Sequence, residues 1–191
     1  TASDPAYADT FPVLYTQIFE ALLALLDAVA IGLPALAMTD HGNMFGAVDF
    51  YQACEKGGVQ PIIGCEAYVA PRSRFDKSQA RSEDPETGGN YHLILLAQNE
   101  KGYRNLCRVV TQAYTEGFYY KPRIDRELLK EFNEGIFCLS GCLGSEVNQA
   151  IQRGDIARAR QVASEFAEIF DKDGNGKIDR VEFFRFVQFL V

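Results

Sequence analysis

Between residues 34 and 154, strand-length apolar segments alternate with helix-length segments, and this alternation confines the chain to a layered α/β architecture. PALAMTDHG (34–42) reads as a short buried strand whose C-terminal end is polar. MFGAVDFYQACEKGG (44–58) follows as a helix closed by Gly57 and Gly58. QPIIGCEAYVAP (60–71) and NYHLILLAQ (90–98) are the next strands, and GIFCLSG (135–141) a fourth. NEKGYRNLCRVVTQAYTEG (99–117), DRELLKEF (125–132), GSEVNQAIQRG (144–154) and DIARARQVASEFAEIF (155–170) are helices. Strands alternating with helices predict right-handed βαβ units and a mainly parallel sheet. Residues 72–90 are charged, bear Gly and Pro, and are nearly free of apolar side chains, so they read as a mobile loop. Upstream, Thr10 caps a helix starting at Pro12, and residues 13–31 run apolar on nearly all sides until Gly32. Such a helix is expected to pack on more than one side.

Polar residues then gather where the strands end: Asp40 and His41, Glu66, His92, and Ser140 with Cys142. In parallel α/β folds, ligands bind beyond the carboxyl ends of the strands, so the pattern alone nominates a site there. Imidazole, carboxylate and thiol together suit a borderline metal ion. The plainer alternative is a hydrogen-bonded structural histidine beside a buried cysteine.

Composition narrows the function class. The chain has 191 residues, 47% of them hydrophobic and 24% charged, which is globular and fits one domain with a small appended module. A net charge of −7 argues against binding a nucleic-acid backbone. Five cysteines, an odd number with no C-x-x-C spacing, suit a reducing compartment, and a cytoplasmic location is expected. Residues 21–38 are the most apolar run, but Asp27, Gly32 and Pro34 interrupt it. A buried helix followed by a buried strand is expected there instead of a membrane span.

A second motif stands at the C-terminus. DKDGNGKIDRVE (171–182) fills the demanding positions of a calcium-binding EF-hand loop. Asp171, Asp173 and Asn175 supply side-chain oxygens, Lys177 a backbone carbonyl, Asp179 a direct or water-mediated oxygen, and Glu182 two closing oxygens. Gly176 permits the sharp turn. The flanks agree: Val162, Phe166 and Phe170 line an entering helix, and Phe183, Phe186, Val187 and Leu190 an exiting one. No second loop of this kind occurs in the sequence, so Ile178 and several Phe side chains have no paired hand to pack on. Homodimerisation through paired hands, or a partner for the Phe-rich final helix, is the corresponding expectation.

The segments 34–77, 90–129 and 134–147 closely resemble the PHP domain of the bacterial replicative DNA polymerase III alpha subunit. TDHGN (39–43) and GCEAYVAPRSRF (64–75) are the most distinctive. The resemblance covers roughly residues 32–160. It implies a distorted parallel (β/α) barrel which, in active relatives, holds zinc, manganese or iron for phosphoester hydrolysis or proofreading. By position it assigns His41, Glu66, His92 and Cys142 as metal ligands, with Glu66 as the carboxylate that bridges ions. The family's H-x-H and D-x-H pairs are absent, since His41 and His92 are the only histidines. The full cluster of ions therefore cannot assemble, so hydrolysis is not the leading expectation, and Glu66, His92 and Cys142, with His41 nearby, are left to hold one zinc or manganese ion.

The sequence thus predicts a PHP-like α/β domain over 1–160, a partial barrel or open sheet with an extra N-terminal helix, joined to a helix-loop-helix EF-hand over 161–191. So abrupt a junction suggests a recombined or engineered chimera. The leading expectation is a calcium-binding module on a degenerate scaffold without polymerase activity. The alternatives are a metal-dependent phosphoesterase or exonuclease with a reduced site, and a calcium-dependent interaction protein.

Overall fold

The computed structural model of the chain describes residues 23–77 and 89–170. Its centre is a sheet in the order β1–β2–β3–β5, with β4 also paired to β2. The strands are β1 (Ala35–His41), β2 (Gln60–Val69), β3 (Tyr91–Ala97), β4 (Arg123–Ile124) and β5 (Ile136–Leu139). The helices are α1 (23–31), α2 (Ala47–Gly57), α3 (Glu100–Thr115), α4 (Arg126–Phe132), α5 (Glu146–Gln152) and α6 (Ile156–Phe170).

Local chemistry sets these boundaries. Asn99, Asp125 and Ser145 cap α3, α4 and α5, each side-chain oxygen accepting a hydrogen bond from a first-turn backbone N–H. Gly58 ends α2 in the left-handed conformation at φ 71°.

The sheet is mixed, which corrects the expectation of a mainly parallel one. β1 and β2 are parallel and joined through α2, but β3 is antiparallel to both β2 and β5. Alternation fixes direction only where a single crossover helix joins neighbouring strands. From β3 to β5 the chain passes through α3, β4 and α4, and β5 returns antiparallel to its neighbour. β1 pairs with β2 as far as Glu66, and β4 takes over beside Tyr68 and Val69. At two residues, β4 is too short to leave a periodic signal in the sequence.

One face of the sheet is dry. Alternate residues Cys65, Ala67 and Val69 of β2 and Leu93 and Leu95 of β3 pack with Leu106, Val109 and Ala113 of α3 and with Leu128 and Leu129 of α4. Ile169 of α6 is buried in the same core, with Phe166 and Phe170 packed against it. α6 thus runs unbroken across residue 160 and into the core. A second cluster joins Leu25 of α1 and Met38 of β1 to Phe50 and Cys54 of α2.

Two further expectations are corrected. α1 buries Leu25 and Ala28, yet Leu26 and Ile31 are 66% and 72% exposed, so this part of the helix packs on one side only. Residues 72–77, expected to be mobile, are anchored. The Arg74 guanidinium reaches Asp125 at 2.9 Å and Glu116 at 2.8 Å, and Asp125 also accepts from the Arg74 backbone N–H. Arg123, 1% exposed, donates to the carbonyls of Arg74, Asp76 and Gly117. Residues 1–22, 78–88 and 171–191 lie outside the described residues. The expected start of the N-terminal helix, the remainder of the expected loop, and the segment Asp171 to Glu182 read as a calcium loop all fall there.

Candidate metal centre

Register builds the site. His41, the last residue of β1, stands opposite Glu66 of β2, and Tyr68, two residues on, stands opposite His92 of β3. Because strand side chains alternate, Glu66 and Tyr68 share the face opposite the dry core, and their register partners join them there. β3 is antiparallel, so its beginning lies at the same sheet end as the close of β1 and β5.

The distances are short. His92 Nδ1 lies 2.8 Å from Glu66 Oε1, and His41 Nε2 lies 3.4 Å from Glu66 Oε2. One ligand atom from each of the three falls within 4.8 Å of the others. Cys142, in the loop after β5, brings its Sγ to 3.2 Å from His92 Nδ1. All four residues assigned to the remnant site are therefore brought together. Asp40 turns away from them and accepts from the Gly46 backbone N–H at 3.4 Å.

Two glycines allow the approach. Gly42, at φ 68°, donates its N–H to the Glu66 carbonyl, and a side chain there would collide with the Tyr68 ring and Pro122. Gly141, at φ 80°, lies so close to β3 that a Cβ would sit 2.9 Å from the His92 carbonyl oxygen. The loop is also tied by the His92 N–H donating to the Gly144 carbonyl and by the Asn148 amide donating to that of Cys142.

The electrostatics follow from this packing. Burial works to raise the Glu66 carboxyl pKa. The hydrogen bond from His92, the charges of His41 and His92, and the Cys142 thiol outweigh it and hold the group below its ordinary value. The Cys142 thiol is pushed up, first by burial and then by Glu66, against the Gly144 N–H that donates to its sulfur. His92 is 1% exposed, and its Nε2 is buried without a hydrogen-bond partner among the described residues.

This donor set fits a divalent transition ion. Two imidazoles, a carboxylate and a thiol match zinc or iron better than a hard, oxygen-seeking ion. Tetrahedral bonds of about 2.1 Å separate ligand atoms by about 3.4 Å, close to the spacings found here. The mouth is open, because the His41 side chain is 46% exposed while Glu66 is 12% and His92 1%. Sequence reasoning missed Tyr68, which packs edge-on against His92 at 5.2 Å between ring centroids. Its signal was the two-residue step from Glu66 along a strand. Asp171, Asp173, Asn175, Lys177, Asp179 and Glu182 lie outside the described residues.

Comparison with known proteins agrees with this geometry. The PHP domain family matches residues 23–176. The DNA polymerase III subunit alpha of Thermus aquaticus is 57% identical over 129 residues, 66% of this chain and 10% of the relative. That of Chlamydia pneumoniae is 54% identical over 138 residues, 70% of this chain and 11% of the relative. That of Aquifex aeolicus is 45% identical over 143 residues, 74% and 12% respectively. The chain thus spans about a tenth of the length of the curated relatives it matches. Among the described residues no helix is long and apolar enough to cross a membrane. With the family match extending over most of its length, and the ligand positions converging at one sheet end, the chain belongs to the PHP domain family.

Proposed function

We propose that this chain is a reduced PHP-type metal site that holds one divalent transition ion on His41, Glu66, His92 and Cys142 and uses it for phosphoester hydrolysis. The observation that carries the reading is the convergence of His41, Glu66 and His92 around one point, closed by buried His92 and open on the His41 side. Such an ion, when bound, acidifies a coordinated water and polarises a phosphoryl oxygen. The residues divide the remaining work. Glu66, kept ionised, would supply the negative charge between the two imidazoles that holds the ion. His41, at the exposed rim, completes the ligand set on the open side, where a phosphoester would approach. Tyr68 walls the buried side and keeps bulk water from His92.

The reading concerns the PHP portion alone. Its test is manganese- or zinc-dependent release of p-nitrophenol from a phosphoester, run beside calorimetric metal titration, for the native chain and Glu66→Ala. Hydrolysis abolished in the variant, together with metal binding, supports the proposal. Metal bound without hydrolysis would make the ion structural and overturn the catalytic part.

A second reading rests on the sequence. The oxygen donors at Asp171, Asp173, Asn175, Asp179 and Glu182 suit calcium, which the transition-metal site does not. Calcium titration of chelator-stripped protein, with Glu182→Gln in parallel, tests it. One site per chain lost in the variant would establish a hand joined to the PHP scaffold, and no heat of binding would remove it.

A further inference from the structure

The turn between α3 and β4, residues 117–122, occupies the same rim as the metal ligands and has no role in holding an ion. Pro122 packs against Gly42, the residue after His41. Lys121 Nζ lies 5.1 Å from the centroid of the Tyr68 ring, which neighbours both His41 and His92, at 6.3 Å and 5.2 Å between ring centroids. Lys121 forms no ion pair among the described residues, where its ammonium neighbours the Tyr68 ring. Tyr120 has φ 58°, the one non-glycine residue in the left-handed region among the described residues. The Tyr119 N–H donates to the Lys121 carbonyl and closes the turn over it. The bend presents Tyr120 at 59% and Phe118 at 48% exposure, with Tyr119 edge-on to Tyr120 at 4.6 Å. Phe118 stacks on Tyr114 at 6.1 Å.

Residues held in costly conformations beside a site are characteristic of ligand contacts. A cation at the rim recognises phosphate, and exposed flat rings recognise a flat ring.

We infer that this turn is the substrate-recognition lip of the PHP site, Lys121 taking a phosphate and Tyr120 stacking on a planar base, so that the substrate class is a mononucleotide phosphoester. The inference rests on the phosphoester reading above. A mononucleotide fits better than a polynucleotide because the chain carries a net charge of −7, which repels a long polyanion, and the lip offers one lysine.

The experiment is calorimetric titration of the full chain with adenosine 5′-monophosphate and with ribose 5-phosphate, each with and without manganese. Lys121→Met and Tyr120→Gly are compared with the native chain. Glycine suits φ 58°, so the second variant removes the ring while favouring the backbone as it stands. Lys121→Met is expected to weaken both ligands about tenfold, and Tyr120→Gly to weaken the nucleotide by a similar factor while sparing the sugar phosphate. Manganese affinity should be the same in all three proteins. Nucleotide affinity unchanged in both variants, or no nucleotide binding with or without manganese, would overturn the lip. Absent manganese binding with Lys121-dependent nucleotide binding retained would instead overturn the metal reading and leave the lip standing.

Discussion

His41 and Glu66 face one another at the same register step of two parallel strands, with His41 Nε2 3.4 Å from Glu66 Oε2. The backbone ladder of β1 and β2 sets their approach, so the ligands are positioned before any ion arrives. Glu66→Gln keeps the shape of the side chain and removes its charge. Zinc affinity is expected to fall by more than about 100-fold, because losing even an outer partner of a ligand costs 10–100-fold. The melting temperature of the chelator-treated protein should move by only a few degrees, which thermal unfolding beside the zinc titration will check.

Gly141 offers a way to disturb the centre without touching a ligand. A methyl group there meets the His92 carbonyl oxygen at 2.9 Å and forces a side chain into φ 80°. Gly141→Ala should cost about 1–3 kcal/mol in urea unfolding and weaken zinc binding at the same time. A stability loss with unchanged zinc affinity would show that the loop does not position Cys142.

Arg74 and Asp125 are both nearly enclosed, with side chains 9% and 3% exposed. Replacing Arg74 by Met strands the Asp125 carboxylate in the interior. The expected loss is about 3–5 kcal/mol, measured by urea unfolding. Asp125→Asn made alone should also destabilise, and the two together should cost less than their sum.

The Glu146 carboxylate is shared by two guanidiniums, Arg126 at 2.7 Å and Arg158 at 2.6 Å, both of which also reach Glu165. This arrangement fastens α6 to α4 and α5. Because the arginines are 21% and 39% exposed, Glu146→Gln should cost only about 2 kcal/mol, below the range for fully buried pairs. Hydrogen exchange should show α6 loosening before the sheet does.

Thiol chemistry separates the cysteines. Cys65 is 1% exposed, and burial pushes its thiol up to about 12, so it stays protonated and shielded at ordinary pH. Cys142 is exposed but has a raised pKa, so its alkylation should quicken as pH climbs through 9 and beyond. Mass spectrometry after iodoacetamide treatment at pH 8 should find Cys142 modified and Cys54 and Cys65 intact. Zinc should protect Cys142. Equal modification without unfolding would contradict this packing.

The individual residues of the centre were legible in the sequence, but their assembly was not. TDHG, YHL and SGC gave up His41, His92 and Cys142 because each sits at a strand end or next to a glycine, whereas Glu66 lies inside β2 and stood out as the one charge in an apolar strand. The direction of β3 was hidden, since an antiparallel strand and a parallel one carry the same apolar residues. Arg74 read as part of a charged, mobile loop, and Arg123 fell outside every element read from the sequence. They are instead buried, because a guanidinium can satisfy several carbonyls or carboxylates that are far apart in the chain. α1 misled in the other direction, with a sequence greasy on every side and a helix that buries Leu25 but not Leu26.

Strand β2 carries Glu66 toward the ligands and Tyr68 toward the lip, with β1 beside the first and β4 beside the second. The candidate metal cluster and the proposed lip therefore share one reading frame of alternating side chains. Inserting a single residue between Gly64 and Glu66 would turn carboxylate and ring together into the dry core and push alanine and valine outward. An insertion of two residues would preserve the faces and shift only the partners. Among length variants of β2, tolerance should thus follow the parity of the change more closely than its size.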